Sequence, residues 1–282
     1  MLSAAALRAE PLRVGVSVLP LEAIVAEIGG DLVEVRSLQQ EGDSCSVFEP
    51  RPSSITWLST AGLFFRTGVG YEPAILAKVQ SRFPGLTVLD LRESVDTLAY
   101  EEDHAHHHHE HGEACEQGEE TDPHLWLDPV RLAAMGDWIA EQLIRVLPES
   151  AGEIRTRAAA FRARVEALDL ELAELLAPFE GRSFYIYHPA LNYFANRYHL
   201  RQVALSGPAT PPGARELHRL VNQAREDGVR TIFVQPQESH RHAEIVADAI
   251  GAEVVEIDPM ARNWDASLRR IGQALASSFA QQ

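Results

Sequence analysis

The richest concentration of possible metal ligands in the sequence is the segment at residues 101–122. Its 22 residues include nine carboxylates and six imidazoles, and the segment contains no Lys or Arg. The histidines are His104, His106, His107, His108, His109 and His111. Because the segment has almost no apolar surface to offset the entropy of ordering it, a mobile loop is predicted. Imidazoles at this density collect divalent cations such as Zn²⁺, so loose sequestration of metal is expected, with an inert acidic loop as the alternative.

Three further residues are placed for a defined metal site. His124 stands between two Asp-Pro pairs in the sequence DPHLWLDP, where the proline rings restrict the backbone. His188 follows the run FYIY, and Asp258 follows the run VVEI. None of the three is specific alone, since a histidine can also cap a helix or pack beside it. Together they predict one metal pocket, because ligands of open α/β sheets bind at the carboxyl ends of the strands.

Short apolar strands and intervening helices must position these residues. In the first half, strands are predicted at residues 12–19, 33–38, 63–67 and 86–91, with helices at 21–28 and from Ser53. In the second half, strands are predicted at residues 183–187, 202–205, 231–235 and 253–257, with helices at 190–198, 213–226 and 243–250. This alternation indicates an α/β protein whose parallel sheets are covered on both faces.

The stretch between the two halves has a helical period. Apolar residues recur there at steps of four and three, at Ile154, Ala158, Phe161, Val165, Leu168, Leu172 and Leu175. The predicted organisation is an N-terminal α/β lobe at residues 11–147, a linking backbone helix at 148–180 and a C-terminal α/β lobe at 181–282. Two such lobes on one helix leave a cleft between the carboxyl ends of their strands.

Length and charge restrict the classes of function. The 282 residues are 45% hydrophobic and 23% charged, which is typical of a globular protein. Lys and Arg number 25 against 41 Asp and Glu, and the net charge of −16 disfavours nucleic acid as a partner. No apolar run reaches the roughly 20 residues of a membrane span, so no direct membrane insertion is expected. Residues 1–9, MLSAAALRA, are either the tail of a secretory signal or a frayed terminus.

The order of motifs along the chain resembles that of the zinc-specific solute-binding proteins of bacterial ABC transporters. From about residue 11 onward the shared motifs are FEPRPS, the His-rich insertion, DPHLWLDP, YHPA, PPGARELH, FVQPQ and a late IDP. DPHLWLDP after a His-rich loop is the most specific of them. The resemblance implies two Rossmann-like lobes bridged by a rigid helix, with metal ligands at His124, His188 and Asp258.

The same resemblance implies a cargo and a partner. The chain would be exported to the periplasm, capture Zn²⁺ with high affinity and deliver it to an ABC transporter permease, most simply as a monomer. The manganese-binding branch of the family usually has Glu where this chain has His188. More imidazole and less carboxylate favours zinc over manganese as the cargo.

The chain departs from the family at the first ligand. The family supplies a histidine there in a DPH motif, whereas this chain reads GDSCSVFEP. A gapless match places Ser46 at the ligand position, and a match with one inserted residue places Cys45 there. A thiolate binds zinc well and a hydroxyl binds it poorly. Cys45 either completes the shell, or forms a disulfide with Cys115, or is a bystander. In the last case the candidate donors are water, a loop histidine, Asp43 and Glu49.

Two other functions fit the same residues. A zinc-dependent metallohydrolase also binds its metal through histidines and a carboxylate with one open coordination position, although no general base is evident near these ligands. A metal-buffering or adhesin-like surface protein would need no permease. His199, His218, His240 and His242 lie away from the predicted strand ends and are assigned no metal role.

Overall fold

The computed structural model describes residues 10–44, 48–99, 121–207 and 213–281. Within these ranges the chain forms two parallel sheets with helices on their faces, and one long helix links the two. The class predicted from the sequence, α/β with two parallel-sheet lobes bridged by a long helix, is confirmed.

The two sheets have the same strand order. The first lobe contains β1 (Leu12–Val16), β2 (Val33–Ser37), β3 (Leu63–Arg66) and β4 (Thr87–Asp90) in the order β2-β1-β3-β4. The second contains β5 (Ser183–Ile186), β6 (Arg201–Ala204), β7 (Thr231–Val234) and β8 (Glu253–Glu256) in the order β6-β5-β7-β8. The strand order therefore switches direction between β1 and β3 and between β5 and β7, which is where open α/β sheets bind ligands.

Helices connect the strands and cover the sheets. The first lobe has α1 (Leu19–Gly29), α2 (Pro52–Leu58), α3 (Glu72–Arg82) and α4 (Pro129–Val146). After α5 (Ala151–Leu176), the second half has α6 (Asn192–Arg197), α7 (Ala214–Glu226), α8 (Arg241–Ile250) and α9 (Trp264–Ala280). Each of α1 to α4 has a proline in its first turn, where the absent N–H has no helical partner to lose. Pro20 thus lies in the first turn of α1, and the strand predicted at residues 12–19 ends at Val16.

The linking helix α5 extends over 26 residues. Its buried side chains follow the predicted period, except that Leu176 replaces Leu175 as the last buried position. α4 packs so closely along α5 that a Cβ on Gly136 would lie 2.5 Å from the Phe161 ring. α9 returns to the same helix, where Trp264 meets Phe161 edge to face with 5.3 Å between ring centroids.

The main hydrophobic core is shared by the two lobes. Buried side chains from β1, β3, α5, β5 and α9 form one contiguous cluster, and a smaller cluster lies between the second sheet and α7 and α8. A shared core fixes the strand ends of both lobes relative to α5. In the part of the chain that the structure describes, no helix has both the length and the apolar character of a membrane span.

Candidate metal centre

His124 is held by the carboxylate two residues before it. Asp122 Oδ1 accepts a hydrogen bond from the His124 backbone N–H at 2.9 Å and lies 2.7 Å from ring atom Nδ1. Both side chains are fully buried. A carboxylate on one ring nitrogen fixes the tautomer and the orientation of an imidazole, and it makes the other nitrogen a better metal ligand. His124 is therefore arranged to bind a cation through Nε2.

The segment that carries His124 is fastened to the second lobe. The buried Trp126 donates its indole N–H to the Pro259 carbonyl at 2.9 Å. Tyr193 of α6 donates its hydroxyl to the Asp122 carbonyl at 3.0 Å and accepts the N–H of Leu98 at 2.9 Å. Burial is the main cause that raises the pKa of Tyr193 to about 12. The phenol consequently stays protonated at neutral pH and remains a hydrogen-bond donor.

His188 is fixed by two neighbouring strand ends. It follows β5 and is 4% exposed. The side-chain amide of Gln235, which follows β7, accepts the His188 N–H at 3.2 Å and donates to the His188 carbonyl at 2.8 Å. This double hydrogen bond places the second imidazole at the switch point between β5 and β7.

The two predicted histidine ligands lie side by side. The ring centroids of His124 and His188 are 5.5 Å apart, with 73° between the ring planes. Both line a cavity of about 10 Å³, roughly the space of one water molecule. The other residues that line it are Ala190, Gln235, Gln237, Glu238, Pro259 and Met260. Two buried imidazoles beside so small a space can share a single ion.

Asp258 follows β8, as predicted, but it does not line that cavity. Its Oδ1 accepts hydrogen bonds from Gln237 Nε2 at 2.8 Å and from the Met260 N–H at 3.0 Å. It lines a neighbouring cleft of about 840 Å³, and Gln237 lies on the wall of both spaces. Among the described residues no three side chains of His, Cys, Asp or Glu are grouped to hold a metal ion. A ligand role for Asp258 stays a prediction.

The remaining predicted ligands are outside the cavity or outside the described residues. Glu49 is exposed and is not among the residues that line the cavity. Cys45, Ser46, Cys115 and the six histidines of residues 104–111 lie outside the described residues. The choice between a Cys45 ligand and a disulfide to Cys115 therefore stays as the sequence left it.

Glu238 is a cavity residue that the sequence analysis did not select. It follows β7 in the sequence QPQES, and its Oε1 accepts a hydrogen bond from the Ser44 hydroxyl at 3.1 Å. A signal was present, because β7 was predicted and acidic residues at strand carboxyl ends were used to choose Asp258. His188 follows β5, Asp258 follows β8, and Glu238 follows β7, which lies between those two strands in the sheet.

Known proteins similar to this chain identify its family. The model of the family "zinc-uptake complex component A, periplasmic" matches residues 14–272. The high-affinity zinc uptake system protein ZnuA of Paracoccus denitrificans is 32% identical over 307 residues, which cover 95% of this chain and 92% of that protein.

Structural similarity agrees with this match. A crystal structure of ZnuA has a TM-score of 0.87 at 30% identity and covers 95% of this chain and 99% of its own. The zinc-binding lipoprotein AdcA of Streptococcus pneumoniae is 27% identical over 247 residues, and the match spans 48% of its length. The chain belongs to the family of periplasmic zinc-uptake component A proteins.

Proposed function

We propose that the chain is an exported solute-binding protein that captures one Zn²⁺ between its lobes and delivers it to the permease of an ABC transporter. The observation that carries the proposal is the pair of buried imidazoles, His124 and His188, with 5.5 Å between their ring centroids. They come from opposite sides of α5 in the chain. The family, whose relatives are named for zinc uptake, supports zinc as the cargo.

The chemistry of the proposed site follows from these two side chains. Neutral imidazole nitrogens bind Zn²⁺ at about 2.0–2.1 Å. The Asp122 carboxylate on the far side of the His124 ring raises the basicity of that ligand. We propose Asp258 as a carboxylate ligand, which requires it to give up the hydrogen bond from Gln237. The first position of the family's ligand set remains open to the donors named above.

The direct test is a zinc titration followed by calorimetry. The whole chain should bind one Zn²⁺ tightly, and binding should weaken strongly between about pH 7.5 and about pH 5.5, because protons compete with the metal for the imidazole nitrogens. Mn²⁺ should bind less tightly, because the proposed shell is rich in imidazole. Zinc affinity that is unchanged over this pH range would contradict a site built on His124 and His188.

Two alternatives predict different measurements. A metallohydrolase would turn over ester, amide or phosphate substrates when loaded with zinc, whereas a carrier would show no turnover in such a screen. A buffering or adhesin-like protein would not raise zinc uptake by vesicles that contain the cognate permease and ATPase. The family match favours the carrier, since the family is one of zinc-uptake components.

For the His-rich segment, we propose loose sequestration of zinc near the tight site. Deletion of residues 104–120 should remove weak, multiple binding and leave one tight site. Loss of the tight site in this deletion variant would contradict the proposed division of roles.

A further inference from the structure

We propose that the Glu238 carboxylate is a ligand of the captured cation, and that it exchanges its hydrogen bond from Ser44 for the metal. This inference rests on the proposed function, which supplies the cation. Carboxylate oxygens bind Zn²⁺ at about 2.0–2.2 Å and complete many zinc shells that contain histidines. Glu238 would thus occupy the place that a histidine fills in the family and that Cys45 or Ser46 holds in this sequence.

The position of Glu238 is the first support. It lines the small cavity beside both imidazoles. Its backbone N–H donates to the Gln235 carbonyl at 3.1 Å, and the Gln235 side chain clamps the backbone of His188. The turn at residues 235–238 thus fixes the start of the Glu238 side chain relative to His188. Both residues flank the switch point between β5 and β7.

The charge of Glu238 is the second support. The side chain is partly buried, and no Arg or Lys forms an ion pair with it in the portions of the chain that are described. A carboxylate without a counter-ion beside two imidazoles is an unfavourable arrangement that a divalent cation relieves.

The contact with Ser44 supplies the third support. The Ser44 hydroxyl donates a hydrogen bond to Glu238 Oε1 at 3.1 Å. Ser44 itself is held from the first lobe, because its carbonyl accepts the side-chain N–H of Gln39 at 2.8 Å. A neutral hydroxyl is a weaker partner for a carboxylate than a dication is. The exchange of Ser44 for the metal is therefore favourable.

The test compares two substitutions on the two sides of this hydrogen bond. Glu238→Gln removes the anionic donor but keeps an oxygen that can accept from Ser44, whereas Ser44→Ala removes the hydrogen bond and keeps the carboxylate. If Glu238 is a ligand, Glu238→Gln should lower zinc affinity by about tenfold or more. Ser44→Ala should leave the affinity within about threefold of the parent or raise it, because the competing hydrogen bond is gone. Glu244→Gln, the same change at an exposed position of α8, is the matched control.

The outcomes separate a ligand from a positioning residue. Equal losses in Glu238→Gln and Ser44→Ala would show that Glu238 acts by holding Ser44, and would overturn the proposal. Full affinity in Glu238→Gln would also overturn it. Absence of tight zinc binding in the parent chain would instead refute the proposed function, from which this inference starts.

A spectroscopic measurement distinguishes the competing donors. Visible absorption of the Co²⁺-loaded protein reports ligand type and coordination number. A ligand role predicts that Glu238→Gln shifts the d–d bands and that Ser44→Ala leaves them unchanged. A thiolate-to-cobalt charge-transfer band, together with d–d bands that Glu238→Gln leaves in place, would assign the position to Cys45 and overturn the proposal. Circular dichroism should show that both variants retain the parent fold.

Discussion

The carboxyl edges of the two sheets carry acidic side chains at corresponding places, and the two edges compensate the charge differently. At the first edge, Glu72 comes after β3 and Asp90 ends β4. Arg66 contacts both carboxylates, at 3.3 and 2.5 Å, and Arg92 contacts Asp90 at 2.7 Å. The first edge therefore compensates its negative charge within the protein.

At the second edge, the arginines that the structure describes do not pair with the corresponding carboxylates. Glu238 comes after β7 and Asp258 after β8, and neither has an Arg or Lys partner among the ion pairs of the described residues. The groups that donate hydrogen bonds to these two carboxylates are neutral: the Ser44 hydroxyl, the Gln237 amide and the Met260 backbone N–H. The two sheets thus have the same strand order but different charge compensation. Ion pairs neutralise the carboxylates at the first edge, whereas the carboxylates at the second edge could interact with a bound cation.

The two carboxylates at the first edge differ in whether burial or pairing controls the pKa. Burial raises the pKa of Glu72, although the N–H groups of Thr67 and Gly68 and the charge of Arg66 oppose it. For Asp90, burial is also the largest influence and acts to raise the pKa, but hydrogen bonds from Arg92 and the charge of Arg66 outweigh it, so the pKa is lowered. Asp90 is the group through which the paired edge can be tested.

The comparison depends first on a cation at the second edge. His188→Ala, or separately His124→Ala, should lower zinc affinity by more than about 100-fold, because removal of a ligand costs more than removal of its outer partner. Competition with a chromophoric chelator would measure the change. His218→Ala, at an exposed position of α7, should bind zinc as the parent does. Unchanged binding in both site variants would break the comparison.

Asp258→Asn tests whether the unpaired carboxylate at the end of β8 reaches the metal. The amide retains the shape of the side chain and loses the charge. Zinc affinity should therefore fall by a factor between about 10 and about 100, closer to 100. Glu256→Gln, the same kind of change at the exposed last position of β8, is the control. If Asp258→Asn binds zinc as tightly as the control, the second edge acts through Glu238 without Asp258.

Asp122→Asn should weaken zinc binding by about tenfold, because the amide no longer favours the His124 tautomer that binds metal through Nε2. The substitution keeps an oxygen that can accept the His124 N–H, so the local backbone should persist. The chelator competition measures the affinity, and urea unfolding of the metal-free protein measures stability. A loss of stability with full zinc affinity would assign Asp122 a purely structural role.

The smallest effect on zinc should come from Asp90→Asn at the first edge. The variant should bind zinc as the parent does but lose about 1–3 kcal/mol of unfolding free energy, because Arg66 and Arg92 lose a charged partner. The Asp90 pKa lies below its ordinary value of 3.8. The contribution of Asp90 to the free energy of unfolding is therefore complete above pH 3.8 and disappears as the pH falls through the lowered pKa. Urea unfolding at about pH 7 and about pH 3 should show the difference shrinking on acidification. A weaker zinc site in Asp90→Asn would contradict the separation of the two edges.

Much of the fold was predictable because burial leaves a period in the sequence. The helical period of α5 and the apolar strands of both lobes are enough to predict the architecture from the sequence. The helix α9 was not predicted, although Trp264, Leu268, Ile271 and Leu275 recur at steps of four, three and four. The strand predicted at residues 12–19 ends at Val16, and Pro20 lies in the first turn of α1, since a proline after an apolar run is compatible with a strand end and with a helix start.

The site was predictable in part. The two Asp-Pro pairs around His124 and the strand end before His188 predict the two histidines, and their rings do lie together. Glu238 follows a predicted strand, as Asp258 does, but its place beside His124 depends on how the two lobes pack, and that packing leaves no local pattern in the sequence. The hydrogen bond from Gln237 to Asp258 is equally invisible in the sequence, since both residues are polar at strand ends and only their mutual distance decides what they contact.

The bond from Trp126 to Pro259 has a mechanical consequence for the two halves of the molecule. Together with the Tyr193 hydroxyl on Asp122, it anchors the peptide around His124 to the half that carries His188. A rigid-body hinge that pulled the halves apart would have to rupture both anchors before the rings could separate. These two bonds therefore hold the two imidazoles side by side without any contribution from a bound cation.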